Sequence, residues 1–183
     1  MARAPIHIAK ISMGEIRWQR LLAYTSTRLC GQATIQGGWM KILIMGLPSS
    51  GKTTLATALA RELSCVHFNA DEIRKEINKD LGFSVKDRIE QARRMGVLCD
   101  IASRYGAHVI ADFVCPTPET RKVFGAHFIV WVDRIKEGPF EDTNKLFVPP
   151  ENHDVRVDGK FGMQYYAEEI AKMIAPKTKK FAF

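Results

Sequence analysis

From residue 40 onward, hydrophobic positions fall into short runs whose period switches repeatedly between that of a strand and that of a helix. Lys41–Met45 (KILIM) is apolar after its lysine, as a strand buried on both faces requires. In Lys52–Leu63, Leu55, Ala58, Leu59 and Leu63 recur at helical spacing and share one face. Cys65–Phe68 predicts a second strand and Asp71–Asn78 a short helix. Ser84 stands three residues before Asp87, the spacing of a capping box. It opens a helix predicted to run to Arg104, with Gly106 as the stop signal. His108–Phe113 and His127–Val132 read as strands, separated by a short helix over Thr117–Phe124, and Val155–Val157 is a last brief strand. The final helix aligns Met163, Tyr166, Ile170, Met173 and Ile174 and stops before Pro176.

Such alternation predicts an α/β fold of three α/β/α layers, with a mostly parallel twisted sheet spanning residues 40–176. Ligands of these sheets bind beyond the carboxyl ends of the strands. Residues 1–39 lack periodicity. They are expected to be a targeting segment, sequence translated upstream of a functional start at Met40, or a disordered extension. Residues 177–183 form a basic tail around Lys177, Lys179 and Lys180.

Composition changes this picture little. Of 183 residues, 46% are hydrophobic and 26% charged, enough for a packed domain. No apolar run reaches the ~18 residues needed to cross a bilayer, so no membrane partner is expected. The net charge of +7 invites a nucleic-acid reading. However, Arg3, Lys10, Arg17, Arg20 and Arg28 against Glu15 place more than half of the excess outside the predicted domain, so nucleic acid is not expected as a partner. Cys30, Cys65, Cys99 and Cys115 form no metal-binding spacing and read as buried free thiols in a reducing compartment. A cytoplasmic location is expected, or an organelle if the leader is a targeting segment.

Directly after the first strand, Gly46-Leu47-Pro48-Ser49-Ser50-Gly51-Lys52-Thr53 fits the phosphate-loop pattern G-x-x-x-x-G-K-[ST] and opens a helix. Its glycines let successive N–H groups point at phosphate oxygens, aided by the helix N-terminus. Gly46, Ser49, Ser50, Gly51, Lys52, Thr53 and Thr54 are therefore the candidate ATP-binding residues. Lys52 would bridge the outer phosphates, and the Thr53 hydroxyl would ligate Mg²⁺. No guanine-reading motif follows: Thr143-Asn144-Lys145-Leu146 has Leu where an Asp is needed. The short domain points to a kinase of small molecules or nucleotides.

A kinase also needs a carboxylate near the acceptor hydroxyl. Asp71, just after the second strand, stands in that position, although alone it would serve equally as an N-cap. Asp112, near the end of the third strand, is a second candidate, as base or in the metal shell. An unpaired carboxylate inside a strand is costly to bury.

From Met40 to about Ile174 the chain resembles the adenylylsulfate (APS) kinases, P-loop kinases that phosphorylate the ribose 3′-hydroxyl of adenosine 5′-phosphosulfate. That family's GLSGSGKTT, LDGDNIR, LNxDLGFSxxDRxENIRR and FISP correspond here to GLPSSGKTT, FNADEIR, INKDLGFSVKDRIEQARR and FVCP, in the same order. The resemblance implies that Asp71 is the base or a metal ligand, that Arg74 and Arg88 grip the phosphosulfate, and that Phe83 stacks on the APS adenine. Asn78, Gln91 and Cys115 fall on acceptor-binding positions. Phe140, reached by counting back from Pro150-Glu151-Asn152, falls on a second adenine-stacking aromatic. The family often pairs, so the resemblance also makes a homodimer an expectation.

The departures are specific. Asn69 and Ala70 replace the Asp and Gly of DGD, Gln91 replaces an Asn, and Cys115 replaces a Ser. Asp112 introduces an acid where the family has a small residue, and is expected to supply the carboxylate missing at position 69. After Val132-Asp133 the family's long basic lid is absent, leaving Arg134 and Lys136 as the nearby cations. The expected function is ATP-dependent phosphorylation of APS. The alternatives are another hydroxyl acceptor, such as a polynucleotide 5′-end or small metabolite, or a catalytically weak nucleotide-binding relative.

Overall fold

A computed structural model describes residues 39–174. Expectations for the leader, for Cys30 and for the basic tail lie outside the described residues. The compact unit starts at Trp39, whose ring meets His108 edge-to-face at 5.3 Å.

The strands β1 (Lys41–Met45), β2 (Val66–Asn69), β3 (Val109–Phe113), β4 (Phe128–Val132) and β5 (Val155–Val157) form one sheet in the order β2-β3-β1-β4-β5. All four pairings are parallel. The helices are α1 (Lys52–Leu63), α2 (Ala70–Glu76), α3 (Val85–Arg104), α4 (Pro118–Phe124), α5 (Glu141–Leu146) and α6 (Met163–Ile174).

The central strand shows why the sheet is covered on both sides. Ile42 and Ile44 pack into one core with Leu55, Leu59, Tyr166 and Ile170 from α1 and α6. Leu43 and Met45 pack into the other, with Ala92, Met95, Cys99 and Phe124 from α3 and α4. Alternate side chains of one apolar run thus feed opposite layers.

The predicted elements recur with small shifts. The second strand extends through Asn69 rather than ending at Phe68, and α2 begins at Ala70. Its N-cap is Asn69, whose side-chain oxygen accepts from the Asp71 and Glu72 N–H groups, so Asp71 is not the cap. The Ser84–Asp87 capping box is present in both directions. Helix α5 was not expected from periodicity. It is six residues long, has no side-chain cap and is held from outside: Asn144 bonds both the N–H and the carbonyl of Gly138 at 2.8 and 2.9 Å.

Candidate active site

The phosphate loop joins β1 to α1 and lies against the end of β4. Gly46 has φ +151, and a Cβ there would sit 2.4 Å from the Val132 carbonyl oxygen. Only a residue without a side chain permits that approach. Ser49, where the resembled family has Gly, adopts a left-handed φ of 66, a conformation costing roughly 1–2 kcal/mol for a residue with a Cβ. The Ser50 hydroxyl is fully buried without a hydrogen-bond partner among the described residues. Lys52 is buried, and its Nζ donates to the Leu47 carbonyl at 2.7 Å. Burial pulls its pKa below the ordinary lysine value, opposed by the charges of Asp112 and Asp71.

At the carboxyl ends of β2 and β3, four side chains converge. Asp112 is opposite Asn69 in the strand register. Its Oδ2 accepts from the Thr53 hydroxyl at 2.7 Å, and its Oδ1 accepts from the His67 ring at 2.6 Å. The Asn69 amide donates to both carboxylate oxygens at 3.1 Å and to Thr53 Oγ1 at 3.2 Å. The carboxylate is 2% exposed yet fully partnered. Asp71 stands two residues after Asn69 in the exposed start of α2, and its side chain pairs with none of these groups, although its field reaches Lys52.

The acceptor arm follows α2. The Arg74 guanidinium donates to the Leu81 and Gly82 carbonyls and lies 4.8 Å from the centre of the Phe83 ring. Arg88 lies 5.6 Å from the same ring and donates to the Phe83 carbonyl at 2.9 Å. Burial, and then the neighbouring Arg88 charge, lower the Arg74 pKa. Phe83 is 64% exposed and Phe140 58%, so both rings are open to solvent. Arg88 links the two segments, since its Nη2 also donates to Asp142 Oδ2 and Thr143 Oγ1, each at 3.0 Å. The turn carrying Phe83 is anchored by Arg94, whose two terminal nitrogens each donate to Asp80 at 2.7 Å.

Other predicted contact residues lie inside the fold. Asn78 and Gln91 are buried; Asn78 donates to Gln91 at 2.8 Å, and Gln91 donates to the Ala70 carbonyl at 3.1 Å. Cys115 is buried at a left-handed φ of 46, with its Sγ 3.6 Å from Thr120 Oγ1; burial pushes its thiol up to about 12. After β4 the two cations diverge. Arg134 donates to the Ser50 carbonyl at 3.3 Å, facing the phosphate loop, whereas Lys136 is tied to Asp133. A cavity of about 430 Å³ opens between α1 and α6, lined by Thr53, Thr54, Thr57, Arg61, Met163 and Gln164 among others.

His67 and Asp142 are the two contributors that motif reading passed over. The signal for His67 was its position two residues before Asn69, on the same face of β2. Asp142 had no comparable signal, because its contact with Arg88 spans 54 residues.

A parallel sheet of this order with a phosphate loop after β1 defines the P-loop kinase class of α/β proteins. The model of the adenylylsulphate kinase family matches residues 39–131, half of the chain, and the chain belongs to that family. It is 40% identical over 87 residues to the adenylyl-sulfate kinase of Bacillus pumilus, covering 45% of this chain and 44% of that protein. Adenylyl-sulfate kinase 3 of Arabidopsis thaliana is 38% identical over 85 residues, covering 44% and 41%. The chain therefore spans less than half the length of these curated relatives. Among solved structures, the Mycobacterium tuberculosis APS kinase in complex with AMPPNP and APS superposes with a TM-score of 0.65 at 21% identity, covering 74% of this chain and 96% of that one. A sugar kinase from a Janibacter species gives 0.58 at 18% identity, covering 76% and 97%. At such identities these two likenesses concern the fold alone.

Proposed function

We propose that this protein transfers the γ-phosphoryl group of ATP to the ribose 3′-hydroxyl of APS. The observation that carries the reading is the adjacency of two half-sites: the phosphate loop with Lys52 and Thr53, and the Asp71–Arg74–Phe83–Arg88 arm that begins where β2 ends. Family membership and the relatives named adenylyl-sulfate kinase support the same acceptor.

The residues fit a magnesium-bound triphosphate. The donor set beside the loop is oxygen-only, a hydroxyl and a carboxylate 2.7 Å apart, and Mg²⁺ takes such ligands with phosphate oxygens and water completing its shell. No cluster of three His, Cys, Asp or Glu suited to a metal occurs among the described residues, so the phosphates would supply much of the coordination. The orphaned Ser50 hydroxyl and the loop N–H groups suit an anion. When bound, the ion would neutralise charge on the outer phosphates.

This chain's own residues do the rest. Lys52, held in a dry environment, offsets charge on the transferred group. Asp71, exposed at the start of α2, is free to accept the proton of the acceptor hydroxyl. Arg74 and Arg88 offer forked donors to the phosphosulfate, and Phe83 with Phe140 offers aromatic faces to the adenine. Asn78 and Gln91 act by bracing α2 against α3, and Cys115 by filling the core beneath the strand ends. The cavity between α1 and α6 would receive the nucleoside of ATP. Arg134 would stand in for part of the missing lid.

The direct test incubates the protein with Mg·ATP and APS, other adenosine nucleotides, or 5′-hydroxyl oligonucleotides, and follows ADP release. Turnover with APS is expected; turnover only with another acceptor would overturn the assignment. The Arg88–Asp142 pair favours keeping a second kinase reading in view, because an acid already occupies one face of the arginine meant for the anion. ADP release with a less anionic acceptor at rates above those with APS would select it.

A further inference from the structure

Three histidines lie at strand ends, and their partners differ in kind. His108 and His127 accept from the backbone N–H groups of Met40 and Lys41 at 3.1 and 3.0 Å, at the opposite end of β1 from the phosphate loop. His67 alone of these three turns to a side chain in the candidate site, donating to Asp112 Oδ1 at 2.6 Å. Strand geometry makes this possible. His67 and Asn69 are two apart on β2, hence on one face, and Asp112 is opposite Asn69 and diagonal to His67 across the pairing with β3.

The carboxylate divides its two oxygens. Oδ2 serves the Thr53 hydroxyl, the group expected to touch the cation, and Oδ1 serves the ring. The Asn69 amide bridges both at 3.1 Å. The ring bond is the shorter, and it comes from a side chain only 18% exposed. Terminal carboxylate torsions are broad, so loss of the ring bond would remove one of the contacts that fix the plane of the carboxylate, beside those from Thr53 and Asn69.

We propose that His67 is a positioning residue of the nucleotide-metal site: its ring N–H locks Asp112 in the rotamer that faces Thr53. The inference rests on the reading that Thr53 and Asp112 serve a divalent cation bound with ATP. Groups that orient metal-binding carboxylates typically matter 10–100-fold for metal affinity.

The test compares the wild type with His67→Phe, which keeps the size and removes the donor, and His67→Gln, whose amide N–H reaches a similar point. Mn²⁺ is titrated by electron paramagnetic resonance against each protein with a non-hydrolysable ATP analogue. Analogue binding in excess chelator and the melting temperature are measured in parallel. His67→Phe is expected to weaken Mn²⁺ binding about 10–100-fold while leaving metal-free analogue binding unchanged, and His67→Gln to recover most of the loss. Unchanged Mn²⁺ affinity in His67→Phe would overturn the proposal. So would failure of His67→Gln to recover affinity at wild-type melting temperature, or loss of metal-free analogue binding in step with Mn²⁺ binding. Absence of analogue binding to the wild type would overturn the nucleotide reading itself, a different result from intact binding with indifferent variants.

Discussion

The donor and acceptor halves of the site are built by different means. The donor half centres on one continuous segment, β1–loop–α1, whose backbone N–H groups take their direction from φ and ψ, with Asp112 and Asn69 reaching Thr53 from β3 and β2. The acceptor half is assembled from side chains of α2, the 77–84 turn, α3 and α5, and several are held by other side chains: Arg94 on Asp80, Arg88 on Asp142 and Thr143, Asn78 on Gln91. A backbone site tolerates sequence change as long as the turn survives. A side-chain site changes its chemistry whenever one partner changes.

Substitutions can break or sharpen that contrast. Asp71→Asn is expected to lower turnover with APS by about 10²–10⁴-fold with little change in binding of either substrate, the usual range for a lost proton acceptor; steady-state kinetics would check it, and near-normal turnover would shift the role to Asp112. Phe83→Ala should weaken APS binding roughly tenfold or more, from the loss of base–aromatic stacking, and leave ATP affinity unchanged. Equal losses for both substrates in calorimetry would show that the halves are not separable. In the donor half, Ser49→Gly should raise stability by up to about 1 kcal/mol in denaturant unfolding, because a left-handed residue is relieved of its Cβ, with no loss of ATP binding. Asp142→Ala should tighten APS binding a few-fold by freeing Arg88, a small effect because the acid is largely exposed.

A last test, outside the two halves, concerns pH. Burial pushes the Cys99 and Cys115 thiols up to about 12 from an ordinary value of 9.0. Their contribution is therefore complete below the ordinary value and is lost as pH rises towards about 12. The unfolding midpoint should fall from about pH 9 towards about pH 12, and Cys99→Ala with Cys115→Ser should flatten that fall.

Much of the fold was legible in the sequence because its signals are local. KILIM must be buried on both faces, the Leu55–Leu59 spacing is helical, and Ser84–Asp87 satisfies its own helix end. The phosphate loop was legible for the same reason. Helix α5 was not, since its stability comes from Asn144 and Arg88 rather than from its own periodicity. The interior positions of Asn78, Gln91 and Cys115 were also hidden, because a motif gives a residue's place in a family pattern but not the direction in which its side chain is spent. The His67–Asp112 bond joins positions 45 apart and needed the β2–β3 register before it could be seen.

Asn69 performs two tasks with two ends of one amide: its oxygen caps α2, and its nitrogen donates to Asp112 and Thr53. An Asp, the residue its relatives' motif carries, could still cap but has no hydrogen to donate. Placed here it would set a second carboxylate against the buried one. The identities at 69 and 112 are therefore coupled: an Asp at 69 would meet like charge, and loss of the acid at 112 would leave the Asn69 amide with Thr53 alone. Changing both positions together should therefore disturb the site less than changing either one alone.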